Sequence, residues 1–170
     1  MEPGNPIFGG CGMKEGSFAL LKKMAQGMPV LFVEDDPRFR RQTRSRLEDL
    51  GFVVTTANDG WEGSLAFDRG SYPLVVTDYE MPGRSGVELI RDIRKRSPST
   101  HIIILTSLER NEEVKGIFHG DLMVYLVAKS GIERAVVGLD DAVFMALARI
   151  SLTKPGHEKL RIGPDGPPAT

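Results

Sequence analysis

Cysteine is almost missing from this 170-residue sequence, in which Cys11 stands alone. A single thiol excludes an intrachain disulfide framework and fits a reducing compartment. Set among glycines, Cys11 reads as a bystander rather than a nucleophile. Neither sign of charge is in excess: 22 Lys and Arg against 23 Asp and Glu leave a formal net charge of -1. That balance supplies no general drive toward nucleic acid or an acidic membrane. No apolar run approaches the roughly 20 residues that a membrane-spanning helix needs. The N-terminus also lacks the basic start and long apolar segment of a secretion signal. The expectation is a cytoplasmic protein.

What is present is an ordinary globular composition, 41% hydrophobic and 26% charged, long enough for one domain with tails. Residues 1–27, rich in glycine at their start, read as a flexible leader, in which Ser17 to Met24 has only a marginal helical pattern. Residues 28–152 read as the folded domain, and 153–170, with four prolines and three glycines, as a disordered tail. Within the domain, short apolar runs alternate with amphipathic stretches. The runs are Pro29–Val33, Phe52–Ala57, Leu74–Val76, His101–Ser107 and Met123–Ala128. The helical stretches follow Asp36-Pro37, then cover Trp61–Arg69 with Trp61 and Leu65 inward, Gly86–Arg96, Glu109–Phe118 and roughly Leu139–Ile150. Five alternations with short connections predict an α/β fold: a doubly wound, five-stranded parallel sheet with helices on both faces.

In such a sheet, every strand end points to one edge, where these folds place their chemistry. That edge would gather Glu34 and Asp35, Asp78, Thr106 and Lys129. Taken singly, each has an ordinary reading: a helix-start acid cluster, a β-branched strand residue, a surface lysine. Together they describe something more specific. Converging carboxylates repel one another unless a cation joins them, and oxygen-only ligands suit magnesium. A hydroxyl and an ammonium opposite them complete a cradle for phosphoryl oxygens.

The motifs Val30-Leu31-Phe32-Val33-Glu34-Asp35-Asp36, Asp78-Tyr79-Glu80-Met81-Pro82-Gly83-Arg84-Ser85-Gly86, Ile104-Leu105-Thr106-Ser107 and Tyr125-Leu126-Val127-Ala128-Lys129 carry a resemblance. From about Met28 to Leu152 the chain resembles the receiver domains of two-component response regulators, with their flavodoxin-like fold. The resemblance implies that Asp78 accepts a phosphoryl group from a sensor histidine kinase or a histidine phosphotransfer protein. It implies Mg2+ held by Glu34, Asp35, Asp78 and the main-chain carbonyl of Glu80, with Thr106 and Lys129 around the phosphoryl group. It implies self-catalysed transfer and autodephosphorylation rather than turnover on a free substrate. It also implies output through a downstream protein in trans, and admits a homodimer through the face of the fourth and fifth helices.

Two departures stand out. The family places an aromatic three residues before its lysine, whereas Tyr125 is four before Lys129, so either Tyr125 (through a bulge) or Leu126 holds the switch position. The lysine is normally followed by Pro; here Ser130-Gly131 precedes extra residues up to Leu139, and a cis bond at Ser130 would carry a penalty. The arginines of the first helix (Arg38, Arg40, Arg41, Arg44 and Arg46) form a solvated face that in the family helps dock the phosphodonor. One aromatic and no recognition helix argue against nucleic acid. Two other functions compete: a phosphorylation-independent scaffold of the same shape, and an aspartyl phosphatase of the haloacid-dehalogenase type using Asp140-Asp141.

Overall fold

The computed structural model describes residues 7–8, 15–107, 111–129 and 132–153. In chain order the elements are β1 (Ile7–Phe8), α1 (Glu15–Ala25), β2 (Pro29–Val33), α2 (Pro37–Asp49), β3 (Val53–Ala57), α3 (Gly60–Arg69), β4 (Leu74–Asp78), α4 (Gly86–Arg96), β5 (His101–Thr106), α5 (Asn111–Ile117), β6 (Val124–Ala128) and α6 (Ile132–Thr153). The strands form one parallel sheet in the order β1-β6-β5-β4-β2-β3. Five of them are the expected apolar runs. The sixth, β1, adds two residues along the edge of β6, pairing Ile7 with Leu126 and Phe8 with Val127.

Alternating side chains split the core in two. On one face Val30, Phe32, Val76, Ile103, Tyr125 and Val127 pack under α1, α2 and α6. On the other, Leu31, Val33, Val75, Ile102, Ile104 and Leu126 pack under α3, α4 and α5. β4, β5 and β6 are buried along their whole length. The helices begin on local signals. Asp36 accepts from the amides of Arg38 and Phe39, each at 2.8 Å, with Pro37 at the first helical position. Ser85 and Glu88 close a capping box at the head of α4.

Three expectations give way. The leader through residue 27 contains the 11-residue helix α1, with Leu21 and Ala25 fully buried. A lone helix of that length is marginal, but this one has tertiary partners in α2 and α6. The last helix starts at Ile132 rather than near Leu139, so it takes up the added residues from Ile132 onward. It passes through a buried Gly138, whose unfavourable helix propensity is outweighed by packing of Ala135, Leu139 and Ala142. Finally, Trp61 and Leu65 face outward, 68% and 49% exposed. The inward face of α3 is made of Gly60, Gly63, Ser64 and Phe67 instead. A Cβ on Gly63 would come within 2.9 Å of Val33, so small residues let the helix lie close to the sheet. The proposed tail from 154 onward, Ser130-Gly131 with its peptide bond to Lys129, and Cys11 lie outside the described residues.

Candidate functional site

Two strand ends bring the acids together. After β2 the chain is held by Glu34 N–H, which donates to Ala57 O at 3.1 Å. Arg40 Nη1 donates to the carbonyls of Glu34 (2.6 Å) and Asp35 (3.1 Å), fixing the acidic turn from the first turn of α2. β4 ends on Asp78, and the turn behind it depends on two glycines. Gly83 has φ 79°, a left-handed conformation that favours glycine. Gly86 donates its N–H to Tyr79 O at 3.1 Å, and a Cβ there would lie 2.1 Å from the Asp78 carbonyl oxygen. Only a residue without a side chain fits so close to the site.

The carboxylates of Glu34, Asp35 and Asp78 offer ligand oxygens within 4.8 Å of one another. Lys129 Nζ, from the end of β6, donates to Asp78 Oδ2 and Glu34 Oε2, both at 2.9 Å, and to Glu34 Oε1 at 3.2 Å. Glu34 is completely buried and Asp78 nearly so. Burial, reinforced by the Asp78 charge, pushes the Glu34 carboxyl up to about 7. Burial also raises Asp78, against the opposing pull of the Lys129 charge. Burial lowers the Lys129 ammonium's pKa, but the Asp78 charge and hydrogen bonds to both acids outweigh it, so the net shift is upward. Three carboxylates facing one ammonium leave negative charge in excess, and an all-oxygen donor set fits a hard divalent cation such as Mg2+.

The remaining expected residues fall as follows. Thr106 is 1% exposed, and its hydroxyl donates to Ser107 O at 3.3 Å. Asp78 pairs with Leu105 in the sheet, which puts Thr106 one step beyond it on the neighbouring strand. The carbonyl of Thr106 accepts the Lys129 N–H at 2.7 Å. Glu80 is exposed, and its N–H donates to Asp78 Oδ1 at 3.4 Å. The β5–β6 ladder runs without a bulge from Ile102↔Val124 to Thr106↔Ala128. Leu126 therefore shares the face of Thr106, while Tyr125 lies on the opposite face, stacked on His101 at 5.9 Å between ring centroids. Asp140, needed by the phosphatase reading, sits in α6 and pairs with Arg46.

Residues not singled out from the sequence also shape the site. Lys129 Nζ lies 4.4 Å from the centre of the Phe39 ring, a cation–π contact that holds the ammonium from the α2 side. Phe39 carries no local signal of this role, and only the meeting of β6 with α2 reveals it. Tyr79 Oη donates to Glu113 Oε1 of α5 at 2.8 Å. Beyond them opens a groove of about 740 Å³ lined by Asp35, Glu80, Met81, Arg91 and Ile117 among others.

Comparison with known proteins points to one family. Residues 30–136 match the family described as response regulator receiver domain. Transcriptional regulatory protein CseB of Streptomyces avermitilis is 33% identical over 147 residues, covering 86% of this chain and 57% of CseB. Chemotaxis protein CheY-3 of Vibrio cholerae is 33% identical over 99 residues, covering 56% of this chain and 74% of that protein. Response regulator TrrA of Thermotoga maritima, solved in complex with Mg(2+)-BeF, is similar with a TM-score of 0.56 at 28% identity. That likeness covers 68% of this chain and 98% of TrrA. The chain spans about half the length of transcriptional regulators such as CseB, at 57%.

Proposed function

The chain belongs to the response regulator receiver family of two-component signalling, and from that premise we propose that it is a switch thrown by phosphorylation of Asp78. Receiver domains are signalling modules rather than turnover enzymes. The observation that carries the proposal is the Glu34–Asp35–Asp78 cluster with Lys129 bridging two of its members.

The Asp78 carboxylate attacks the phosphorus of a phosphohistidine on a sensor kinase or phosphotransfer protein. The O–P bond forms as the P–N bond breaks, and the leaving imidazole takes up a proton. The Lys129 ammonium opposes the upward push of burial on Asp78 and so favours its ionised, nucleophilic form. Glu34, Asp35, Asp78 and the carbonyl of Glu80 would hold Mg2+, which when bound neutralises the oxygens of the transferred group. Thr106 turns its hydroxyl from Ser107 O toward a phosphoryl oxygen, and Leu126, on the same face, repacks as the switch residue. Water later attacks the acyl phosphate in line, releasing phosphate and restoring Asp78. The reading places the protein in the cytoplasm and its output in a contact made in trans, by a downstream protein or a second copy, on the face of α5, β6 and α6. Among the described residues no helix is long and apolar enough to cross a membrane.

The test is intact-mass analysis after treatment with acetyl phosphate and Mg2+. The expected result is one phosphoryl group on the wild type and none on a folded Asp78→Asn variant. Equal labelling of both, or none on the folded wild type, would overturn the proposal.

A further inference from the structure

We infer that the Tyr79–Glu113 hydrogen bond is a latch that holds α5 in its unphosphorylated position; the inference rests on the switch proposed above and names one of its controls. Tyr79 directly follows the phosphoacceptor, and its backbone is fixed from both sides. Its N–H donates to Leu105 O at 2.9 Å, and its carbonyl accepts the N–H of Gly86 at 3.1 Å. Tyr79 is 9% exposed and packs in the same cluster as Met81, Val87, Val114 and Phe118. Its hydroxyl then reaches 2.8 Å to Glu113 on α5. A shift of the main chain at Asp78 therefore moves the donor of a bond whose acceptor sits on another element.

α5 is suited to being held this way. It is seven residues long and contains Gly116, and among its described side chains and that of the residue after it the buried ones are Val114 and Phe118. Such a short, sparsely buried helix belongs to the part of a fold that opens first. Glu113 is itself exposed, so the bond can open without stranding a charge away from water. α5 is also the next described element after the strand that carries Thr106. The latch thus joins the two sides of the Thr106 segment, one through Asp78 and the other through α5.

The experiment uses the full chain and two readouts: amide exchange over 111–118 without any phosphodonor, and the initial rate of labelling by acetyl phosphate with Mg2+. Tyr79→Phe and Glu113→Ala should each speed exchange and raise the labelling rate about fivefold. The double variant should do no more than either single one. Glu113→Gln, which keeps an acceptor oxygen, should stay near wild type. A packing defect would lower labelling; a released latch raises it. If the wild type is labelled and both single variants label at its rate or slower, the latch is overturned while Asp78 remains the phosphoacceptor. If the folded wild type takes no label, the latch falls together with the switch.

Discussion

Lys129 Nζ stands 2.9 Å from Glu34 Oε2, and Glu34 has no exposed surface at all. That single ammonium also serves Asp78, so two buried acids depend on one cation. Lys129→Met should therefore lower stability by about 3 kcal/mol in metal-free buffer. Added Mg2+ should restore much of the loss, because a ligand that binds only the folded state stabilises it. Urea denaturation with and without Mg2+ checks both parts, and Asp35→Asn should weaken the magnesium effect.

Acid dependence should show two opposed slopes. His101 is 2% exposed, with Nδ1 3.1 Å from Tyr125 Oη. Burial, with smaller contributions from Arg149 and Arg94, pushes its pKa down to about 4 from an ordinary 6.5. In that window the unfolded chain takes a proton that the folded chain refuses. Its contribution is complete above 6.5 and is lost as pH falls toward 4, on the order of 3 kcal/mol. Glu34 acts in reverse: raised from 4.5 to about 7, it binds its proton first in the folded state. Its contribution is present below 4.5 and is lost as pH rises to 7. Denaturation midpoints from pH 4 to 8 should lose the first slope in His101→Gln and the second in Glu34→Gln.

Gly86→Ala should damage both fold and site. The added carbon would press on the Asp78 carbonyl oxygen, a main-chain atom that cannot swing away. A cost of about 3 kcal/mol is expected from overpacking of this kind, measurable as a lower Tm. Phosphoryl labelling should fall with it, since the displaced chain carries the nucleophile.

Leu21→Ala distinguishes an integral α1 from a loose leader. Leu21 is fully buried among residues of α2 and α6, so its truncation should cost roughly 3 kcal/mol. A loose leader would give no change in the urea midpoint. The Phe18 ring, 4.9 Å from the Arg46 guanidinium, marks the same junction.

The strands and the acids of the site are legible in the sequence because their signals are local. A run such as His101–Thr106, apolar almost throughout, suits a strand buried on both faces, and Asp78 or Lys129 at the end of such a run is placed by the sheet itself. What stays hidden depends on partners distant in the chain. α1 has a weak helical pattern of its own and is held by α2 and α6. The inward face of α3 is built from Gly60, Gly63 and Ser64, which a hydrophobic pattern cannot register, so Trp61 reads as its core residue. Gly138, with charged residues before it, conceals the start of α6. Tyr125 and Leu126 belong to one apolar run, and only the register with β5 decides which of them faces Thr106.

The two-residue β1 has a bearing on self-association. Among the described residues it lays only two residues along β6, too few to serve as a template for another chain. The opposite border, β3, is five residues long and shows Val53 with 60% of its surface open. Among the described residues β3 is therefore the long open border: two molecules meeting through it use up that border of each, which favours a pair over a fibre.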